Sequence, residues 1–382
     1  MRILLVNKFA HVTGGADRHV LLLRRALRAK GHFVVLLSTT GGDADFEVPL
    51  TVSHSIRDSL SARRGASVAW SALWNSSVAR EMDRVLEHVR PHVVHTHKLY
   101  PQLSVAPVMV ARRRHIPVVQ TVHDYEFISS NALDHSGGLL DRREARKSYR
   151  LLNNLTFVAR RRLHAPSVAE WISVSEAVAQ RYRACGLLST VLPNFVEGGS
   201  AQAAAGGRDG VVFVGRLTEE KGVREVIALA KSLPDTPVSI AGWGPLAPEV
   251  EAAAQKLTNL DFAGRVEPEA VQTMLAGARV AVVPSMWEEP GAVSVLEAMA
   301  VGTPLVVYRV GGIAEYVEDA GAGLVVDATV TAMSAGVQSL SRDDALWSEC
   351  STRALEAIAS RHSAGTYVDR LIVIYGNATR QL

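Results

Sequence analysis

Two short charged segments in the second half of the chain carry the residues best suited to chemistry. In the first, Arg216 and Lys221 lie between Gly215 and Gly222. A predicted strand precedes this segment and a helix follows it, so both cations and free backbone N–H groups would meet at one sheet edge. A guanidinium and an ammonium held there would stabilise negative charge growing on a departing diphosphate. We therefore predict a diphosphate site that needs no metal ion; the alternative is a pair of ordinary surface cations at a helix start.

The second segment follows another predicted strand and also runs into a helix. Its carboxylates, Glu289 and Glu297, could accept hydrogen bonds from sugar and ribose hydroxyls if Glu297 lies two turns into that helix. The backbone N–H groups of Ala292, Val293 and Ser294 would then face phosphates at the helix N-terminus. The alternative for Glu297 is a partly buried structural carboxylate, which would need a partner.

Strand-like and helical stretches alternate through both halves of the chain. The strand-like runs are at residues 3–7, 33–38, 93–96, 118–122, 172–175, 211–214, 238–241, 280–283 and 305–308. This pattern predicts an α/β protein with two doubly wound, Rossmann-like domains, and we expect ligands in a central cleft between them. A loop rich in Gly, Ala and Ser at 198–210 separates a domain of residues 1–195 from one of residues 196–365.

Charge is distributed unequally between the two halves. The chain has 382 residues and a formal net charge of +3, but residues 1–195 hold 27 Lys/Arg against 15 Asp/Glu, whereas residues 196–382 hold 14 against 23. The basic half could attract an anionic acceptor, a membrane surface or nucleic acid. Its densest runs, at 112–114, 142–150 and 160–162, are most simply solvated helix faces. They carry no interleaved aromatic residues for base stacking, so nucleic acid is not an expected partner.

The remaining composition indicates an intracellular protein without a structural metal. Cys185 and Cys350 are far apart and have no Cys or His at ligand spacing, which argues against a disulfide framework or a zinc site. The apolar opening is too short for a signal peptide, and no window is long enough to span a membrane. We predict a cytoplasmic enzyme, with peripheral contact at the inner membrane face through the basic half as a further hypothesis.

The order and spacing of the motifs resemble those of retaining glycosyltransferase family four, which has the GT-B fold, nearly from end to end. Besides the two charged segments, the matching motifs are Gly14-Gly15, Val174-Ser175-Glu176, Leu192-Pro193-Asn194 and Gly302-Thr303-Pro304. The resemblance implies a nucleotide-sugar-dependent enzyme whose last helix, within residues 366–382, crosses back to the first domain. A helix lying on a membrane is the alternative for this amphipathic segment.

The resemblance also implies roles for single residues. It assigns the diphosphate to Arg216 and Lys221, the donor sugar to Glu289, the ribose to Glu297 and a backbone contact with the base to Val266. Relatives place His123 near the transferred sugar. Our predicted catalytic set is therefore His123, Arg216, Lys221 and Glu289. The predicted donor-binding residues are Gly14, Gly15, Gly215, Val266, Gly291, Ala292, Val293, Ser294 and Glu297.

The first domain carries the predicted acceptor side. His97 and Lys98 end one strand, and His123, Asp124 and Tyr125 end the next, so both groups would lie at the carboxyl edge of the sheet. A general-base role for His123 remains open. His95 and His97 could suggest a metal site, but we expect their side chains to point to opposite faces, and no third ligand is evident.

One departure from the family and several alternatives remain. Where relatives have an aromatic residue and then Gly, this chain has Gly291-Ala292, so Ala292 either adopts a tolerant φ or narrows the donor site.

The acceptor could be a cell-envelope glycan or lipid, or a small natural product. Other functions to exclude are an epimerase or phosphorylase of the same fold and a nucleotide-sugar-binding protein without turnover. An NAD oxidoreductase is disfavoured, because the loop after the first strand lacks the three-glycine spacing.

Overall fold

The structure is a computed structural model that describes residues 1–49, 65–129, 147–197 and 207–380. The chain forms two compact units, one made of Met1–Pro193 and Tyr367–Leu382, the other of Asn194–Thr366. Each contains a parallel sheet with helices, so the predicted α/β class with two doubly wound sheets is confirmed.

The sheet of the first unit has seven strands in the order β3-β2-β1-β4-β5-β6-β7, all paired in parallel. The strands are β1 Arg2–Val6, β2 Phe33–Thr39, β3 Phe46–Val48, β4 Val93–Thr96, β5 Val118–Val122, β6 Glu170–Ser173 and β7 Thr190–Val191. The central strands are almost continuously buried because helices cover parallel strands on both faces, although β4 and β5 also carry polar residues towards their carboxyl ends. The strand order reverses between β1 and β4, and sheets of this kind bind ligands at such a topological switch point.

Helices of the first unit connect these strands. They are α1 Gly15–Ala29, α2 Gly65–Leu73, α3 Ser76–Val89, α4 Ala106–Arg113, α5 Lys147–Ala159 and α6 Glu176–Ala184. A π-helical turn, Arg160–His164, follows α5 directly. The last helix of the chain, Ala364–Arg380, packs on this unit from Tyr367 onward, where Lys30 Nζ lies 2.8 Å from an oxygen of Asp369. The predicted return of the last helix to the first domain is therefore confirmed.

The sheet of the second unit has six parallel strands in the order β10-β9-β8-β11-β12-β13. The strands are β8 Asp209–Arg216, β9 Val238–Trp243, β10 Leu260–Gly264, β11 Ala278–Val283, β12 Leu305–Tyr308 and β13 Gly323–Val326. The helices are α7 Val223–Ser232, α8 Ala247–Ala254, α9 Pro268–Gly277, α10 Val293–Ala300, α11 Gly311–Ala320, α12 Val330–Arg342 and α13 Asp344–Arg361; the last helix of the chain is α14.

Helices cover both faces of this second sheet. One buried cluster joins α9, α10, α11 and α13 to the sheet, and another joins α7, α8 and α12 to it. Strand β8 is longer than the predicted 211–214, because Gly215 and Arg216 continue the ladder by pairing with Gly242 and Trp243. Among the described helices, none combines the length and the apolar composition that crossing a bilayer requires.

A left-handed glycine links β8 to α7. Gly222 has φ +71°, and a Cβ atom there would lie 1.9 Å from the carbonyl oxygen of Pro284. Only a residue without a side chain allows the turn before α7 to approach the loop after β11 so closely. Gly264 also has a positive φ, +66°, but a Cβ atom there would meet nothing within 4 Å.

Substituting these two glycines should separate backbone strain from steric clash. Gly264→Ala should cost about 1–2 kcal/mol, the strain of a left-handed L-residue. Gly222→Ala carries the same strain and must also move the Pro284 backbone, so its unfolding temperature should fall clearly further. Thermal unfolding of both variants measures the difference, and equal losses would contradict the close approach described above.

Candidate active site

The two charged segments of the second unit meet at the carboxyl edge of its sheet. After β8, a short 3-10 turn, Glu219–Lys221, leads through Gly222 into α7. The loop that follows β11 lies against this turn, since the backbone N–H of Met286 donates to the carbonyl oxygen of Glu220 at 2.9 Å. The sequence segments that were predicted to act together are thus in direct contact.

A buried carboxylate joins the two segments. Glu289 is 6% exposed, and its Oε1 forms an ion pair with Lys221 Nζ. Its other oxygen accepts a hydrogen bond from Ser285 Oγ at 2.6 Å. A carboxylate in such surroundings needs partners of this kind to offset its desolvation. Lys221 and Glu289, for which separate ligand contacts were predicted, are therefore also bonded to each other.

Arg216 ends β8 at the same sheet edge and is more accessible than this pair. Its side chain is 44% exposed, and Nη2 is 3.5 Å from Glu220 Oε1, four residues along the chain. An exposed pair at this distance contributes little to stability. The guanidinium is therefore able to exchange this contact for an anionic ligand at small cost.

Helix α10 begins at this edge with no side-chain cap. Its N-cap, Ala292, has φ −79° and ψ 124°, an ordinary conformation for an L-residue, so the departure from the family needs no strained backbone. Helix N-termini without caps present N–H groups that suit an anion. Glu297 is the fifth residue of α10 and is 7% exposed. It lies just over one turn into the helix, so the expected two turns are wrong, because the helix begins later than the motif.

The space beside Gly291 is filled by a residue that the sequence did not indicate. A Cβ atom at Gly291 would lie 2.7 Å from the hydroxyl oxygen of Tyr316, on α11. That hydroxyl accepts a hydrogen bond from the backbone N–H of Asn194 at 3.1 Å, and burial raises the pKa of Tyr316. Tyr316 thus occupies room that a larger side chain at 291 would require.

Val266 lies at the same edge, beyond the end of β10. It is partly buried and packs against the same core cluster as Val214 and Val293. Nearby, the guanidinium of Arg265 lies 5.7 Å from the centre of the Trp243 ring, which is 47% exposed. The predicted base-contact residue therefore lies at the same sheet edge as the predicted diphosphate residues.

In the first unit, the strands β1, β4 and β5 bring their carboxyl ends together. Gly14 is the extended N-cap of α1 and Gly15 is the first residue of that helix. The loop before them is held by Asp17, whose Oδ1 accepts a hydrogen bond from Asn7 Nδ2 at 2.8 Å. The glycine loop thus lies directly beyond β1, as its position in the sequence predicts.

Lys98 and Asp124 form a buried ion pair at this edge. Glu126 lies close to the pair, with Oε2 3.8 Å from Lys98 Nζ. Burial lowers the pKa of Lys98 to about 8, and nearby Lys8 lowers it as well, although Glu126 raises it. Tyr125, predicted for the acceptor side, is fully buried, so its side chain is not exposed at the edge.

Four histidines cluster beneath the same edge. His97 Nδ1 and His123 Nε2 are 3.0 Å apart with nearly parallel rings, and the ring centroid of His19 is 5.3 Å from that of His123. The His95 and His97 centroids are 4.2 Å apart, so the expected opposite orientation is wrong: side chains two positions apart along extended chain share a face.

The histidine cluster has the character of a buried, neutral core. His95 bonds through Nδ1 to the Tyr375 hydroxyl at 2.7 Å and through Nε2 to Thr121 Oγ1 at 2.8 Å. Burial lowers the pKa of His19 and His95 to about 3, and it lowers the pKa of His97 and His123 well below 6.5. No group of His, Cys, Asp and Glu side chains in the described residues is arranged to hold a metal ion.

Two family models match the chain. The model described as Glycosyltransferase Family 4 matches residues 13–197, and the model described as Glycosyl transferases group 1 matches residues 200–357.

Individual relatives cover most of the chain. Glycogen synthase of Mycobacterium tuberculosis is 28% identical over 389 aligned positions, which cover 90% of this chain and 87% of the relative. Sucrose-phosphate synthase of Thermosynechococcus elongatus superposes with a TM-score of 0.72 at 17% identity, covering 100% of this chain and 99% of the other. HepE of Anabaena in complex with UDP gives a TM-score of 0.71 at 14% identity over 98% and 100% of the two chains, and it is also solved with UDP-glucose. The solved structures share the fold.

The histidine cluster should make the first unit sensitive to acid. Because each folded ring binds a proton more weakly than the unfolded ring, stability is complete above pH 6.5 and falls as the pH drops below it. Replacing His97 with Gln removes one such group, so the slope of unfolding free energy against pH should decrease by up to about 1.4 kcal/mol per pH unit.

Denaturant unfolding between pH 4 and 7 measures this slope. His115→Gln, which removes an exposed histidine outside the cluster, is the control for the substitution itself. An unchanged slope in His97→Gln would contradict the prediction, because it would show that His97 binds a proton equally well in the folded and unfolded protein.

Proposed function

This chain belongs to glycosyltransferase family 4, with the GT-B fold, and we propose that it transfers a sugar from a nucleoside diphosphate sugar to an acceptor hydroxyl with retention of configuration. The observation that carries the proposal is the placement of Arg216 and of the bonded pair Lys221 and Glu289 at one sheet edge, beside the uncapped start of α10. Cations and free helix N–H groups at one edge are suited to a diphosphate. The UDP and UDP-glucose complexes of HepE support the same class of donor.

In the proposed reaction, the bond between the anomeric carbon and the diphosphate oxygen breaks first. The electron pair of that bond leaves with the diphosphate, where Arg216, Lys221 and the N–H groups of Val293 and Ser294 stabilise it. The acceptor hydroxyl attacks from the face that the leaving group vacates, and its proton passes to the leaving phosphate oxygen. Positive side chains and N–H groups supply the stabilisation, and we propose that no metal ion is required.

The ion pair with Glu289 gives Lys221 a fixed starting position. In the absence of donor, the ammonium is neutralised by a carboxylate that Ser285 holds through its other oxygen. A diphosphate would compete for the ammonium, and a released Glu289 oxygen could then accept a sugar hydroxyl. We propose that Glu289 contacts the donor sugar in this way, that Glu297 contacts the ribose, and that the backbone at Val266 contacts the base.

For the first unit we propose the acceptor role. Lys98, His123 and Asp124 at this edge offer both charged and neutral polar groups to an incoming hydroxyl compound, and the buried ring of His97 holds His123 from beneath. A cell-envelope glycan or lipid and a small natural product both fit this chemistry. We propose that transfer takes place in the cytoplasm, with peripheral contact to an anionic inner membrane face.

Donor binding followed by acceptor screening tests the proposed function. A panel of nucleotide-sugars is first ranked by the thermal stabilisation that each gives, starting with UDP-sugars. The preferred donor is then incubated with candidate acceptors while nucleoside diphosphate is measured. Release that depends on an acceptor supports transfer, whereas donor binding without release indicates a binding protein and conversion without acceptor indicates an epimerase.

Lys221 should act more on the transition state than on donor binding. Lys221→Gln keeps a hydrogen-bond donor for buried Glu289 but removes the positive charge, so turnover should fall about a hundredfold or more while donor affinity changes much less. Initial rates and donor titrations on the same preparation measure the two effects. Ser285→Ala, which leaves the ammonium in place, should lose far less turnover. Equal losses of turnover and affinity in Lys221→Gln would contradict the assigned role.

A further inference from the structure

Helix α5 and the π-helical turn after it expose apolar side chains where a surface helix normally carries polar ones. Leu151 is 62% exposed, Leu155 45%, Val158 48% and, in the turn, Leu163 44%. The first three are spaced four and three residues apart, which places them on one face of the helix. A contiguous exposed apolar face of this kind indicates an interaction site.

Most of the buried side chains on the inner side of α5 and of the turn after it are polar. Asn153, Thr156 and, in the turn, Arg160 are buried beside one apolar residue, Leu152, and the Arg160 guanidinium lies 5.1 Å from the centre of the Tyr100 ring. In an ordinary amphipathic surface helix, the apolar stripe faces the core and the polar residues face water. In α5, by contrast, polar side chains are buried and apolar ones are exposed, an arrangement that does not stabilise the unit by itself. The exposed apolar side chains therefore indicate that this face binds a partner.

Cations adjoin this face, and an exposed tryptophan lies on the helix that packs against α5. Arg162 is exposed next to Leu163, and exposed Arg112 donates from Nη1 to Ser167 Oγ at 3.2 Å, a hydroxyl that itself bonds to the carbonyl of Leu163. Helix α2 packs against α5 and carries Trp70, which is 64% exposed. Basic residues beside apolar ones, with an amphipathic tryptophan, are the composition of surfaces that lie in a membrane interface.

We infer that an anionic lipid surface docks on this apolar face, defined as Trp70, Leu151, Leu155, Val158 and Leu163. The inference rests on the proposed membrane contact and names the surface that makes it, but it does not depend on the transfer reaction. A second copy of the chain is the competing occupant. It is disfavoured because residues 1–195 carry a net charge of +12, from 27 basic and 15 acidic residues, and two such units repel each other. Anionic headgroups attract the same charge.

Vesicle binding of the full-length protein tests the inference. The wild-type chain should co-sediment with vesicles of phosphatidylcholine and phosphatidylglycerol, and less with phosphatidylcholine alone. Leu151→Ser/Leu155→Ser removes apolar area without adding charge, so its partition coefficient should fall about tenfold or more. Leu188→Ser/Leu355→Ser is the matched control, since Leu188 is 73% and Leu355 46% exposed elsewhere in the chain, and its binding should match the wild type.

A second measurement is independent of the leucine substitutions. Tryptophan emission of the wild type should shift to shorter wavelength on mixed vesicles, and Trp70→Phe should lose most of that shift, because Trp70 enters the interface. Wild-type protein that does not bind, or a double variant that binds as the wild type does, would overturn the inference. So would a double variant that loses only self-association in sedimentation velocity, since the occupant would then be a second copy.

UDP binding, measured by thermal shift on the same variants, separates this inference from the proposed function. Lost vesicle binding with intact UDP stabilisation supports the docking surface. Failure of the wild type to bind any nucleotide-sugar would count against the proposed function and leave the vesicle result standing.

Discussion

The ion pair between Lys221 and Glu289 holds together the two segments at the carboxyl edge of the second unit's sheet. Because Glu289 is almost fully buried, removing either partner would leave an uncompensated charge in a poorly hydrated place. The pair links the turn after β8 to the loop after β11, and the backbone contact between Met286 and Glu220 joins the same two segments. The close packing at Gly222 belongs to this junction, since a side chain there would force the two segments apart. Uncapped α10 begins only a few residues beyond Glu289, so its position depends on the same contacts.

The first unit uses burial in a different way. Its carboxyl edge combines a charged pair, Lys98 with Asp124, and a histidine cluster that burial keeps neutral. Part of that cluster is completed by the last helix of the chain, because the Tyr375 hydroxyl bonds to His95 and the Tyr367 hydroxyl to His19. The end of the chain therefore contributes directly to the surroundings of residues near its beginning.

Much of the architecture could be predicted from the sequence because its signals are local. Apolar runs alternating with amphipathic stretches identify parallel strands and helices, and the charged motifs directly follow strands. The exact ends of elements were less predictable: β8 extends through Gly215 and Arg216 because a neighbouring strand offers partners, and α10 begins late enough to bring Glu297 within about one turn of its start. The reversed polarity of α5 could not be recognised either, because the sequence pattern does not say which face of a helix is covered.

Contacts between residues that are distant in the chain could not be predicted either, because local sequence patterns carry no information about them. Nothing near His123 in the chain indicates that His19 lies beside it. Nothing near Glu289 indicates its bond to Lys221, although the sequence motifs single out both Glu289 and Lys221.

The contact between Gly291 and Tyr316 also joins residues that are distant in the sequence, and it has a consequence for substitutions at these two positions. The Tyr316 hydroxyl and a side chain at position 291 compete for one volume, so an ancestor or descendant with an aromatic residue at 291 must have a smaller or displaced residue at 316. The two positions are therefore sterically coupled, and a substitution at one of them changes the room that is available to the other.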